Sequence, residues 1–397
     1  QAPLTPEAIH RLKELEIPVT FWFVEDFRTL PYWKEVASAY DHFFTIQKDE
    51  FHPELISAGV KDCYYLPQAA HPAVHRPLEL SFDQKKLYKA AAFGGEGWSP
   101  RTAHLSEELG NVWGHCGINT EWSRLKSVLL HRPGPELVAS SDPNAVQMLE
   151  SIDLERAQIQ HDAIAQGYRD VGVSVHYVKP DGQPTPNQIF VADLVFMTPE
   201  GAILARPAST VRAGEERWVA RRLAELGIPI IRSVRGTGTF EGADAMWLNP
   251  QTVIIGRGLR TNNEGVEQVA STLTEMGVTV IEVDLPFGSM HLMGMLRIVD
   301  HDLAIAWPKR LVHRGVEALK ECGFQIAFIP DETEAELNKA LNFVTLSPRQ
   351  VLMVDGNPVT QAFYESLGIT CHTVEVDELG KAAGAIGCLT GVLERGD

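Results

Sequence analysis

One phrase, a helix end followed by glycine and a β-rich run, occurs five times and restricts the fold of this chain more than any other feature. The copies are YRDVGVSVHYV (168–178), LAELGIPIIRSV (223–234), LTEMGVTVIEV (273–283), LKECGFQIAFI (319–329) and YESLGITCHTV (364–374). Their glycines, Gly172, Gly227, Gly277, Gly323 and Gly368, lie 55, 50, 46 and 45 residues apart. Glycine just past a helix enters the left-handed region without a Cβ clash, so each phrase predicts a helix stop and a strand start. Ahead of the helices stand paired strand-like runs, such as AMWL and TVIIG within 245–256, or RIV and LAIAW within 297–307. The unit reads ββαβ, and near-constant spacing means a repeat architecture. An open stack of five units needs polar caps at both ends; a closed ring does not. The expectation is a ring whose units point their first strands at a common centre.

The N-terminal part reads differently. VTFWFV (19–24), HFFTI (42–46) and CYYL (63–66) are β-rich runs with helical stretches between them, around 31–40 and 50–58. That order predicts a small α/β layer with parallel strands. A looser region with GGEG at 94–97 follows. The expected organisation is a small α/β domain over 1–92, a linker over 93–116 and the repeat domain over 117–397.

A net charge of −17 argues against nucleic acid or an anionic membrane as partner. No run of 18 apolar residues predicts a membrane span. QAPLTPEAIH lacks the pattern of a signal peptide, and a start at Gln1 rather than methionine suggests a piece cut from something longer. The five cysteines are odd in number and widely spaced, so neither a disulfide framework nor a zinc ribbon is expected, and a reducing cytoplasm is. His71 and His75 have the spacing of a metal pair, but Pro72 argues against a helix there. GTGTFEG (236–242) is not followed directly by a helix to hold a pyrophosphate. No cofactor and no metal are expected. Whether copies of the chain associate into a homo-oligomer stays open.

The polar residues that look misplaced fall at the repeat openings: Asp193 in IFVADLVFM, Glu241 and Asp244 in TFEGADAMWL, His291 in GSMHLMGML, Asn342 in ALNFVTL and Cys388 in GAIGCLTGVL. In a ring these openings converge. A thiol beside an imidazole suits nucleophilic catalysis. Carboxylates in the same cavity repel one another unless a cation joins them. A guanidinium, planar and rich in N–H donors, binds carboxylates in bidentate fashion. Asn342 could equally satisfy a backbone turn.

The ordered set FVADLVF, FEGADAMWL, the RTN of IGRGLRTNNEG, MHLMGM and GCLT resembles the guanidino-group-modifying enzymes: arginine deiminases, arginine dihydrolases, dimethylargininases and amidinotransferases. The resemblance covers about Glu121 to Leu393 and implies an α/β fold of pentein type, a five-bladed pseudo-symmetric ββαβ propeller. It implies Cys388 as the nucleophile forming an amidino-cysteine, His291 as acid then base, and Glu241 as the acid that orients the histidine. Asp193 would bind the guanidinium; Asp244 fits the EGAD run and is either a substrate contact or only structural. Arg260, or else Arg206, would take a substrate α-carboxylate. Many arginine deiminases and amidinotransferases place an acid two residues after the catalytic histidine, where this chain has Met293; dimethylargininases also lack it. That favours a substituted or differently seated guanidine over plain arginine, and the expected substrate is arginine or a related guanidino compound. Hydrolase, amidinotransferase and a propeller that binds without turnover all stay open, with a leaning to hydrolase. The N-terminal run FWFVEDFRTL…YDHFFTI…GVKDCYYLPQAAHPAVH resembles part of the glycosyltransferase-like domain of spore-maturation proteins, over too short a stretch for catalysis.

Overall fold

The structure, a computed structural model, describes residues 6–16, 19–23, 32–45, 51–65 and 99–396. The pair His71 and His75 and the GGEG stretch lie outside them. The chain divides into two compact units, Gln1–Arg101 and Thr102–Asp397.

In the first unit, β1 (Thr20–Phe23), β2 (His42–Thr45) and β3 (Cys63–Tyr65) form a parallel sheet in that order. Helices Trp33–Val36 and Phe51–Ser57 fall in the two expected stretches. Trp33, Phe43 and Phe51 are fully buried and meet ring to ring, giving this small layer its own core.

The second unit holds fifteen strands in five three-stranded sheets. Its strands are β4 (Leu125–Leu130), β5 (Ser174–Tyr177), β6 (Val195–Thr198), β7 (Gly201–Leu204), β8 (Ile230–Ser233), β9 (Ala245–Asn249), β10 (Thr252–Arg257) and β11 (Thr279–Asp284). They continue with β12 (Leu296–Ile298), β13 (Leu303–Ala306), β14 (Gln325–Phe328), β15 (Val344–Ser347), β16 (Gln350–Val354), β17 (Thr370–Val374) and β18 (Gly391–Arg395). In β6-β7-β8 the first pair is antiparallel, and the second is parallel through the helix Glu215–Glu225. The β9-β10-β11, β12-β13-β14 and β15-β16-β17 sheets repeat this pattern. The fifth sheet joins the two ends of the unit: β18 pairs antiparallel with β4, and β4 parallel with β5. All five marker glycines have positive φ, between 72° and 86°, each just past a helix.

The first two strands of each sheet are buried almost throughout, as four-residue runs such as Val195–Thr198 and Gly201–Leu204 show. The third strands, β5, β8 and β14, alternate between half-buried and exposed. The interior therefore lies along the first strands, and their starts open towards it. The segment 102–116, expected in the linker, is bonded into this unit: the Gly114 N–H donates to the Gly227 carbonyl at 2.8 Å.

Candidate active site

The turn leading into the first strand of each sheet carries a polar residue. Asp193 ends the 3-10 turn before β6, and Glu241 precedes the turn Gly242–Asp244 before β9. His291 precedes the turn before β12, Asn342 lies two residues before β15, and Cys388 sits in the short helix Ile386–Leu389 before β18. Equivalent slots in five repeats thus supply the acid, acid, imidazole, amide and thiol that the sequence places at the repeat openings.

Cys388 and His291, with Met290 and Ala383, line both a cavity of about 270 Å³ and a tighter pouch of about 20 Å³ behind it. Asp193, Arg212 and Arg260 line the pouch. Asn342, Met293 and Lys339 line the outer cavity. His291 Nε2 lies 2.6 Å from Glu241 Oε2, and its Nδ1 faces Asp193 Oδ1 at 3.8 Å. Burial alone would lower the His291 pKa; Asp193, Asp244 and Glu241 outweigh it and raise it to about 9. The ring is therefore doubly protonated at neutral pH. Burial works against charge on Glu241 too, but the bond from His291 and the nearby Arg212 and Arg260 hold its carboxyl well below the usual range.

The thiol is held rather than loose. Asn342 Nδ2 donates to Cys388 Sγ at 3.0 Å, and Asn342 Oδ1 accepts from the Cys388 N–H at 3.2 Å. Burial, then the nearby Asp193 charge, pushes the thiol up. Gly387 lets these side chains close in: a Cβ there would displace the Arg297 guanidinium and crowd Asn342 Oδ1.

Arg212 has no counterpart among the expected site residues. It is buried between Asp193 (2.7 Å), Glu215 (2.9 Å) and Glu241 (3.4 Å). The only local sequence signal is its i,i+3 spacing from Glu215 at a helix start, a pattern common on surfaces. Around the pouch stand four buried carboxyls, Asp193, Glu215, Glu241 and Asp244, against buried Arg212, half-buried Arg260 and charged, buried His291. Burial raises Asp244 and Glu215 each to about 6. Fully ionised, the site is short of one cation. Asp193 Oδ1 carries no hydrogen bond.

Two expected substrate contacts meet a different geometry. Asp244 is fully buried, and both its oxygens are engaged: Oδ2 by the Thr261 hydroxyl at 2.6 Å, Oδ1 by the Leu292 N–H at 3.0 Å. It fixes the turn that presents His291. Arg206 donates to the Gly238 carbonyl at 3.0 Å and lies outside the lining of both pockets, its backbone bridged to Phe240. In the RTN run, Arg260 lies 3.4 Å from both Glu241 oxygens, Thr261 bonds Asp244, and Asn262 caps the helix Asn263–Glu275 through Gly265. Asp193, Glu241 and His291 offer ligand atoms within 4.8 Å of one another, but Arg212 already occupies both carboxylates and the charged ring donates, which suits a metal poorly. Among the described residues no helix is long and apolar enough to cross a membrane.

A family profile described as N,N dimethylarginine dimethylhydrolase, eukaryotic, matches residues 140–390. N(G),N(G)-dimethylarginine dimethylaminohydrolase of Pseudomonas aeruginosa is 26% identical over 265 residues, covering 67% of this chain and 98% of the relative. An arginine deiminase of Lactococcus lactis is 22% identical, over 70% of this chain and 98% of its own. A solved variant of the Pseudomonas dimethylaminohydrolase complexed with citrulline aligns with TM-score 0.58 at 25% identity, over 69% of this chain and 100% of that one. An amidinotransferase from Microseira wollei aligns with TM-score 0.60 at 15% identity, over 71% and 98%, and shows the fold alone.

Proposed function

Because the chain belongs to the N,N dimethylarginine dimethylhydrolase family, we propose that it hydrolyses a guanidino C–N bond, with an N-methylated arginine as substrate and Cys388 as nucleophile. The observation that carries this reading is the charge imbalance beside a thiol: four carboxyls, three cations and an Asp193 oxygen without a hydrogen bond around the pouch that Cys388 lines. A guanidinium supplies the missing charge and donors. The five sheets are read as the blades of a pentein propeller, and the N-terminal unit as an accessory without catalysis of its own.

Burial and then the Asp193 charge keep the Cys388 thiol protonated; substrate arrival neutralises Asp193, and the thiol releases its proton to bulk water as the cation binds. Sγ then bonds to the guanidinium carbon. The bond from that carbon to the substituted nitrogen breaks as His291 passes its proton to the nitrogen, and dimethylamine leaves. Neutral His291 takes a proton from water as the water oxygen bonds to the same carbon. The C–S bond breaks as the hydroxyl proton of that adduct passes to Sγ, releasing citrulline and restoring the thiol; the proton shed on substrate binding ends on the released dimethylamine. Glu241 keeps His291 charged and oriented. Arg260, the pouch cation with the longest ties, binds the substrate α-carboxylate. Met290, Met293 and Met295 in the outer cavity suit methyl groups better than a bare, hydrated guanidinium end.

The test is an incubation with asymmetric dimethylarginine, with arginine, and with each plus glycine. Citrulline and dimethylamine from dimethylarginine, lost in Cys388→Ser, support the reading. An amidino group appearing on glycine would make the protein an amidinotransferase instead. No product from any mixture, with slow uniform labelling of all five cysteines by a haloacetamidine, would make it a binding module.

A further inference from the structure

Behind the Cys388 turn lies a separate buried cavity of about 50 Å³, lined by Arg297, Arg395, Glu121, Thr345, Gly387 and Thr390 among others. The two arginines are 8% and 9% exposed. Arg297 donates Nε to the Leu341 carbonyl at 3.2 Å, and Arg395 donates Nη1 to the Ser123 carbonyl at 2.9 Å. Arg297 Nη2 and Arg395 Nε are buried and donate to nothing. The one carboxylate in the lining, Glu121, already accepts from the Trp247 N–H at 3.1 Å, and burial favours its neutral form. Two cations therefore face one carboxylate, with two donors left over.

Water would satisfy the donors but not the charge, and a buried uncompensated charge costs several kcal/mol. We propose that this cavity binds a small monovalent anion of the chloride class between Arg297 Nη2 and Arg395 Nε. The space exceeds the roughly 10–15 Å³ that one water needs and excludes bulky organic anions such as gluconate. The site reaches the reaction centre through Arg297, whose guanidinium packs against Gly387, next to the nucleophile. An anion there neutralises the positive charge that favours the Cys388 thiolate, so its occupancy restrains thiolate formation.

Two measurements test this, and neither needs turnover, so the site stands or falls apart from the proposed reaction. Crystals grown in bromide are expected to show an anomalous peak within hydrogen-bond reach of both arginines. Cys388 alkylation by iodoacetamide, followed against pH in chloride and in gluconate at matched ionic strength, is expected to shift to higher pH in chloride. At neutral pH it slows by a factor of roughly three to ten, the change in thiolate fraction for a half to one unit of pKa. Arg395→Gln is expected to lose both effects; if that variant fails to fold, the wild-type bromide map decides alone. A wild-type map with no bromide in the cavity overturns the site, and superimposable alkylation profiles overturn its link to the thiol.

Discussion

Replacing Glu241 by glutamine keeps the shape of the side chain beside His291 and removes its charge. The carboxylate lies 2.6 Å from His291 Nε2 in a fully buried setting. His291 is raised from 6.5 to about 9, which corresponds to about 3 kcal/mol favouring the charged ring. Asp193 and Asp244 share that effect, and Glu241 contributes both a direct bond and its charge. A third to a half of the total makes Glu241 worth about 1 kcal/mol, roughly one pKa unit. Since the folded-state pKa lies above the unfolded value, this stabilisation is fully present below pH 6.5 and is lost as pH rises through about 9. Glu241→Gln therefore moves the alkaline limb of kcat/KM down by about one unit, and the alkaline fall in thermal midpoint, which still begins above pH 6.5, becomes smaller and levels off about one unit lower. The assay is an NMR titration of the His291 ring beside the pH–rate profile. A His291 midpoint within about 0.3 units of wild type would refute the reasoning.

Four further substitutions separate the roles of neighbouring groups. Asn342→Leu removes both bonds to Cys388 at similar volume and is expected to lower kcat about 10- to 100-fold with the fold intact, read by steady-state kinetics and circular dichroism. Gly387→Ala drives a methyl into the Arg297 guanidinium and is expected to cost about 1–3 kcal/mol in denaturant unfolding, along with most activity. Arg260→Met is expected to raise KM about 10- to 100-fold through loss of a charged hydrogen bond to the α-carboxylate, whereas Arg206→Met leaves KM within about twofold.

The repeat was legible in the sequence because a left-handed cap has a strong chemical signature. Gly172, Gly227, Gly277, Gly323 and Gly368 each stand at positive φ past a helix, where a side chain would clash. The convergence of Asp193, Glu241, His291, Asn342 and Cys388 followed from the repeat, since residues in equivalent slots of equivalent units meet at one face. Other features lay beyond that logic. Arg212 stands between β7 and its helix, outside the repeated slot, and only three-dimensional packing brings it to Asp193 and Glu241. The EGAD run leaves open whether Asp244 touches substrate or only holds structure; side-chain geometry gives its partners as the Thr261 hydroxyl and the Leu292 backbone. Arg206 and Arg260 cannot be ranked by composition, because side-chain direction decides between the Gly238 carbonyl and the pouch. Residues 102–116 read as linker because their apolar pattern is weak, yet backbone bonds carry them into the second unit.

The covalent step is tested most directly by acid-quenching the protein during turnover of asymmetric dimethylarginine and weighing the intact chain. The expected result is a mass gain equal to the substrate less dimethylamine, located on the peptide carrying Cys388 and absent from Cys388→Ser. Turnover by wild type with no added mass at any quench time, or an adduct on another cysteine while Cys388→Ser remains active, would contradict the account.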